Sequence, residues 1–244
     1  MYAAKIADIL DIYLADAQQI LAYSAKLLAE HYANNAHTNT EASRLIQQNR
    51  YFNSIVIADT KGKVIASAPT GLNLNNTSLQ TAGARQSLAE QKPLVSNPFH
   101  SALGNYIISI SSPVISNSNN YLGFISGTLH LKRDSILSEL LGHHFASEQY
   151  RVYVYNSDGV LLYHRDQQKI GENISDLITG QVKAATSNTA KGMAITKHTH
   201  WHVVVERTEQ SLQTELHSQL FSAVMYLLPA VSYWVFPFGG LVRV

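Results

Sequence analysis

Two short stretches of this sequence are near copies of each other: VIADTKGKVIAS, from Val56 to Ser67, and YVYNSDGVLLYH, from Tyr153 to His164. In both, apolar runs flank four turn-forming residues that end in glycine. Asp59 is placed to close its turn through the side chain, and Gly62 to take the positive φ of a three- or four-residue hairpin loop. Asn156-Ser157-Asp158-Gly159 lines up with Asp59-Thr60-Lys61-Gly62, 97 positions later, and turn chemistry accounts for Asp158. A hairpin repeated at that distance means that the chain holds two similar units.

The segments after each hairpin follow the same order, loop, helix and a further strand pair, although the closing strand pairs match less well in length. The first is followed by a loop from Pro69 to Asn76 and a helix-like run from Leu79 to Gln91. Then come a short strand in PLVSNP and two longer strands, NYIISISSPVIS and YLGFISGTLHL. A helical stretch from Asp134 to Glu148 leads into the second hairpin. That hairpin is followed by a loop from His164 to Ile174, a helix near Asp176 to Thr186, and the strands GMAITKHT and WHVVVERT. A final helix starts near Glu209. This order predicts an α+β chain, with antiparallel sheets carrying helices on one face.

Ahead of both units, the first thirty residues read as one long helix. Ile6, Leu10, Tyr13, Ala17, Ile20, Ser24 and Leu27 alternate spacings of four and three, a stripe of period 3.5. Ala17 and Ser24 are small enough to admit a close neighbour. The stripe packs on the chain's own sheets, on a parallel helix from a second subunit, or on each at different levels. A polar break, Asn34 to Asn39, precedes a short helix from Glu41 to Asn49. The expected divisions are 1–50 for the helix and its connector, 51–135 and 136–212 for the two units, and 213–244 for the end of the chain.

That end differs in composition. LFSAVMYLLPAVSYWVFPFGGLV, Leu220 to Val242, carries no charge and is long enough to cross a hydrocarbon core of ~30 Å. Trp234 and the neighbouring Tyr and Phe suit a membrane interface. The expectation is a transmembrane segment, and the alternative is a buried C-terminal hairpin. The charges at Lys5, Asp8, Asp11, Asp16 and Lys26 argue against a secretory h-region at the other end.

Charge and motifs narrow the function. With 18 basic and 17 acidic side chains and a net charge of +1, the chain has no surplus for a nucleic-acid partner. It has no cysteine, hence no disulfide, thiolate metal site or thiol nucleophile. It contains no nucleotide-binding glycine loop, nucleophile elbow or zincin motif. No cofactor is expected, and an enzyme is the weakest reading.

The long helix ADILDIYLADAQQILAYSAKLLAE, the hairpin SIVIADTKGKVIASAP and the run PLVSNPFHSALGNYIISISSPVIS…YLGFISGTLHLKRDSIL, followed by VYVYNSDGVLLYHRDQQKIGENIS and THWHVVVERTEQSL, together resemble the double Cache sensor module of bacterial membrane receptors. The resemblance spans residues 1 to about 215. It implies two PAS-like sheets along a stalk helix, outside the cytoplasm, between transmembrane helices. It implies a small ligand in the membrane-distal unit and a cytoplasmic output domain: diguanylate cyclase, histidine kinase or chemotaxis signalling domain. The first unit is most similar to cyclase-linked members. A first transmembrane helix before Met1 and an output domain after Val244 are parts of that plan outside this sequence, so the chain is expected to be a fragment or to work with another protein.

Amino-acid-binding members of that family use an arginine, then a tryptophan and another aromatic, and an aspartate on a later strand. The arginine position resembles Arg85. The aromatic positions fall at Ser87 and Leu88, and the aspartate falls at His130, so the resemblance implies no α-amino acid ligand. A carboxylate held bidentately by Arg85 is one expectation, and a solvated helix residue is the other. Strand alternation puts Ser109 and Ser111 on one face, and Ser126, Thr128 and His130 on one face of the next strand. That stripe faces solvent or lines a cavity, with Tyr106 offering a wall and a hydroxyl. In HTHWH, His198, His200 and His202 share a side if the strand is unbroken, a spacing suited to Zn²⁺ or Ni²⁺. In the family a turn precedes the tryptophan. Trp201, Val203 and Val205 then face the core and His202 faces solvent. Two functional readings follow: a membrane sensor of a small polar metabolite, working as a homodimer through its first helix, or a non-catalytic dimerisation or partner-binding envelope domain with a vestigial pocket.

Overall fold

The computed structural model describes residues 2–32, 34–48, 50–133, 135–145, 150–175 and 191–207. Helix α1 is Tyr2–Ala29, uninterrupted because nothing in it breaks a helix. At 1.5 Å per residue it is about 42 Å long. Its buried face runs through Ala3, Ala7, Leu10, Leu14, Ala17, Leu21, Ser24 and Leu28, flanked by Ile6, Tyr13 and Ala25. Of the expected stripe, Ile20 is half-buried and Leu27 is 46% exposed. The helix lies against strands of two sheets, so its buried face is broad and those two positions fall on its rim. Ala17 and Ser24 are fully buried within this chain. The Ser24 hydroxyl accepts a hydrogen bond from Arg44 Nη2 at 3.2 Å.

Helix α2, Asn35–Gln48, begins six residues before the expected Glu41. The side-chain oxygen of Asn34 accepts from Ala36 N at 3.0 Å and, more weakly, from His37 N. The polar run read as a break is therefore a capped first turn.

The first sheet contains β1 (Ser54–Asp59), β2 (Val64–Ala68), β3 (Leu94–Val95), β4 (Phe99–His100), β5 (Tyr106–Ile115) and β6 (Tyr121–His130). Its order is β2-β1-β6-β5-β3, with β4 also on β5. Helix α3, Ala82–Glu90, lies across one face. Helix α4, Ile136–Phe145, then leads to the second sheet: β7 (Tyr150–Tyr155), β8 (Leu161–Tyr163), β9 (Lys191–Ile195) and β10 (His202–Arg207), in the order β8-β7-β10-β9. All pairings are antiparallel. Ile55, Ile57, Ile108, Ile110 and Ile125 from the first sheet and Val152, Val154, Val203 and Val205 from the second share one core with α1.

The two hairpin turns close identically. Asp59 Oδ1 accepts from Lys61 N and Lys63 N at 2.8 and 2.9 Å. Asn156 Oδ1 accepts from Asp158 N and Val160 N at 3.1 and 2.8 Å. Gly62 and Gly159 have φ of 78° and 80°. Asn156, not Asp158, closes the second turn. Asp158 instead reaches the first unit: its Oδ2 accepts from Asn97 Nδ2 at 3.1 Å, while Asn156 Nδ2 donates to Asn97 Oδ1 at 3.2 Å.

A second tie joins α1 to the other end of the second sheet. Asp11, 7% exposed, accepts from Lys197 N at 2.8 Å and His198 N at 3.2 Å, in the turn between β9 and β10. The expected membrane segment Leu220–Val242, the helix near Asp176 to Thr186 and the final helix from Glu209 lie outside the described residues. Among the described residues, no helix is long and apolar enough to cross a membrane.

Candidate functional site

Strand register gives the first sheet two chemically distinct faces. Ser54 and Ser109 both pair with Thr128; Val56 and Ser111 both pair with Ser126; Ile107 pairs with His130. Residues paired across strands project to the same side. The opposite side carries Ile55, Ile57, Ile108, Ile110 and Ile125 against α1, so the hydroxyl-bearing side faces away from the stalk helix. There α3, the segment before it, β4 and the loop before β5 roof it over and leave a cavity of about 80 Å³.

The floor of the cavity is Ser54, Val56, Ile107, Ser109, Phe124, Ser126, Thr128 and His130. Leu72, Leu74, Leu79, Ala84, Phe99 and Leu103 supply apolar walls, and Asn53, Thr81, Ser101 and Asn105 polar ones. Several polar groups are already engaged: Ser54 and Thr128 share a hydrogen bond, Ser109 Oγ donates to Ser96 Oγ at 3.1 Å, and Asn53 Oδ1 accepts from His130 N at 2.8 Å.

Of the residues singled out in the sequence, the structure brings Ser109, Ser126 and His130 together at this cavity, with Thr128 beside them. The other three lie elsewhere. Ser111 is on the same face but buried under α3, where it accepts from Ser87 Oγ at 2.9 Å. Tyr106 is two residues from Ile108 and so projects to the opposite face. It packs against His100, ring centroids 5.1 Å apart, with Lys132 Nζ 5.6 Å above its ring, and lies close to Gly171 of the second unit. Arg85 is exposed. The buried side of α3 is Gly83, Ala84 and Ser87, which turns Arg85 outward to donate to the Gln80 carbonyl. The roof residues Phe99, Leu103 and Asn105 were not singled out in the sequence, because a two-residue strand and a loop carry no periodicity.

The three histidines do not share a side. The chain turns between β9 and β10, and His200 sits in that turn with φ of 54°. His198 and His200 are exposed, while His202 stacks on Tyr155 at 4.7 Å and 3°. Trp201, Val203 and Val205 are buried. Among the described residues, no three His, Asp or Glu side chains are grouped to hold a metal.

A larger cleft, about 910 Å³, separates the start of β1 from α4 and the loop after β8. It is open, and its Arg50 and Glu139 pair with each other at 3.5 Å.

Burial, with the Arg133 charge second, holds His130 below its ordinary value of 6.5. The unfolded chain therefore binds a proton that the folded chain resists. Stability rises with pH across the window between the lowered folded value and 6.5, and is lost as pH falls through it. Urea unfolding at pH ~7 and pH ~5 should show a larger acid loss for the native chain than for His130→Gln; equal losses would remove His130 as a contributor.

A model of the Cache domain family matches residues 1–216. No curated protein matches the chain. Among solved structures, the chain is similar to an extracellular ligand-binding receptor from Desulfohalobium retbaense DSM5692, with 15% identity, a TM-score of 0.70 and 84% of this chain covered. It spans 39% of that receptor's length. It is also similar to the ligand-binding domain of the Pseudomonas aeruginosa PAO1 amino acid chemoreceptor PctB, solved with L-Gln: 15% identity, TM-score 0.68, covering 93% of this chain and 96% of that one. The ligand-binding domain of Mlp24 with asparagine matches at 16% identity and a TM-score of 0.65, covering 86% and 90%.

Proposed function

The chain belongs to the Cache domain family, and from that premise we propose that it is the extracytoplasmic ligand-sensing part of a bacterial membrane receptor. A small polar metabolite enters the cavity of the first unit, residues 51–135, which is the membrane-distal one. Residues 136–212 form the proximal unit, and Leu220–Val242 crosses the inner membrane. The observation that carries this reading is the roofed cavity, whose floor is a stripe of hydroxyl and imidazole groups on the sheet face away from α1.

Ligand binding acts by favouring one packing of the roof over another. Ser109 on the cavity floor is bonded to Ser96, whose neighbour Asn97 contacts Asp158 and Asn156 of the second unit. That contact passes a shift of the floor to the proximal unit, and the chain after it carries the shift into the membrane. Ile9, Ile12, Tyr23 and Leu27 on the outer side of α1 are exposed, Ile12 at 62% and Tyr23 at 60%; they support a homodimer through this helix. The likeness of the first unit to cyclase-linked members supports a diguanylate cyclase as the output. A carboxylate ligand requires Arg85 to turn inward from its present place.

The small cavity, about 80 Å³, favours a second reading, a non-catalytic dimerisation or partner-binding envelope domain. A thermal-shift screen of the purified chain against organic acids, amino acids, purines and polyamines separates the two. Stabilisation by a ligand follows mass action. A shift that is lost in Ser126→Phe supports the sensor, and a carboxylate shift lost in Arg85→Ala would bring Arg85 into the site. No shift with any compound would favour the second reading.

A further inference from the structure

We propose that the cavity over the first sheet takes a small uncharged ligand, with a hydrogen-bonding amide or hydroxyl head on a short apolar body, and rejects carboxylates, ammonium ions and zwitterions. The proposal rests on the sensor reading above and names the chemistry of its ligand.

The walls decide the charge. None of the described residues lining the cavity is Lys, Arg, Asp or Glu. Among the described lining residues, His130 alone has a side chain able to carry charge near neutral pH, and burial together with Arg133 disfavours the protonated form. Arg133 acts on His130 without lining the cavity, and Arg85 is turned away to the Gln80 carbonyl. A carboxylate or ammonium entering here would shed its hydration without meeting an opposite charge, whereas a neutral amide or hydroxyl trades water for protein hydrogen bonds.

The groups left over decide the head. Ser126 is buried, and its hydroxyl makes no hydrogen bond among the described residues. The same holds for the His130 ring and the Asn105 side-chain amide. A hydroxyl, a neutral imidazole and an amide offer both donors and acceptors, so the matching ligand carries both. Val56, Ile107 and Phe124 beneath, with Leu79 and Phe99 beside, provide the apolar part. The volume, about 80 Å³, is roughly half that of the engineered apolar cavity that binds benzene, which sets the body at a few carbon atoms.

Propionamide, propionate and propionamidinium have the same shape and differ in charge. We expect saturation-transfer NMR on the purified full chain to show propionamide binding at least ~10-fold tighter than either ion, the scale of one unpaired buried group. Ser126→Phe, which fills the cavity, should abolish the signal. Ser126→Ala, which removes the hydroxyl with little change of shape, should weaken it several-fold, and serves as the readout if the phenylalanine variant does not fold. Equal or tighter binding of propionate or propionamidinium overturns the proposal. If that binding is lost in the Ser126 variants, the sensor reading stands and only the ligand class falls. No binding by propionamide overturns the proposal too. Should the wider panel of acids, amino acids, purines and polyamines also fail, the sensor reading falls with it.

Discussion

Gly123→Ala should lower the stability of this chain by about 4 kcal/mol, within the range reserved for steric and backbone defects in a core. Gly123 lies in β6 opposite Asp59 of the first hairpin turn, with φ of 141°, a conformation that side chains other than glycine's rarely adopt. A methyl group there would overlap the Ala58 carbonyl oxygen and stand 2.5 Å from the Tyr32 hydroxyl. Tyr32 donates to that same carbonyl at 2.6 Å, and burial pushes its phenol well up. The clash is mainly with backbone, which cannot rotate aside. The strand must move, the Tyr32 bond breaks, and the connector between α1 and α2 loses its anchor. Gly71 provides the control, since a methyl there meets nothing within 4 Å and should change stability by less than ~0.5 kcal/mol. Urea unfolding of both variants decides the matter. Similar losses would mean that the close approach at Gly123 is relieved at little cost.

Asp11→Ala should have the next largest effect, about 2–4 kcal/mol. The loss leaves two backbone N–H groups, at Lys197 and His198, without their acceptor in a partly buried turn, and each such orphan costs ~1–3 kcal/mol. Asp11→Asn keeps one acceptor and should cost about half as much. The neighbouring ion pair between Asp8 and Lys197 spans 3.7 Å with both side chains largely exposed, so Asp8→Ala should stay within ~0.5 kcal/mol. Hydrogen exchange offers a direct reading: the amides of Lys197 and His198 should lose protection in the Asp11 variants and keep it in Asp8→Ala. Unchanged protection in Asp11→Ala would show that the turn holds without the helix. In the proposed receptor this carboxylate fixes the stalk helix to the proximal sheet, so its loss should also weaken any ligand response that depends on the two moving together.

Legibility followed the range of each interaction. The hairpin turns were readable because Asp59 and Gly62 act within a few residues. Alternation alone puts Ser109 with Ser111 on one face of their strand and Ser126, Thr128 and His130 on one face of the next, without deciding between solvent and a cavity, and the same rule, applied to Tyr106, sends it to the Ile108 face. Arg85 is different. Its candidacy came from likeness to other chains, and likeness does not report how a short helix is rotated. The sequence around Asn34 looked like a break because a cap and a turn use the same residue types. Asp11 left no local trace, because a lone carboxylate on a helix reads as surface and its partners lie 186 and 187 positions away. The roof loops are equally silent, which is why alternation leaves open whether the stripe meets solvent or a cavity, and how large that cavity is.

The two hairpin turns have one shape but different consequences for the chain around them. At Asp59 the carboxylate oxygen accepts from its own loop. At Asn156 the oxygen does the same work while the amide nitrogen is left over, and it is spent on Asn97 in the other unit. A carboxylate at position 156 would still close the loop, but it would lose that donor and set a second negative charge beside Asp158. Grafting the first loop onto the second site should therefore preserve the hairpin and unstitch the seam. The repeat is interchangeable as geometry and not as wiring, and the difference between the copies lies in the two side chains, Asn156 and Asp158, that reach Asn97.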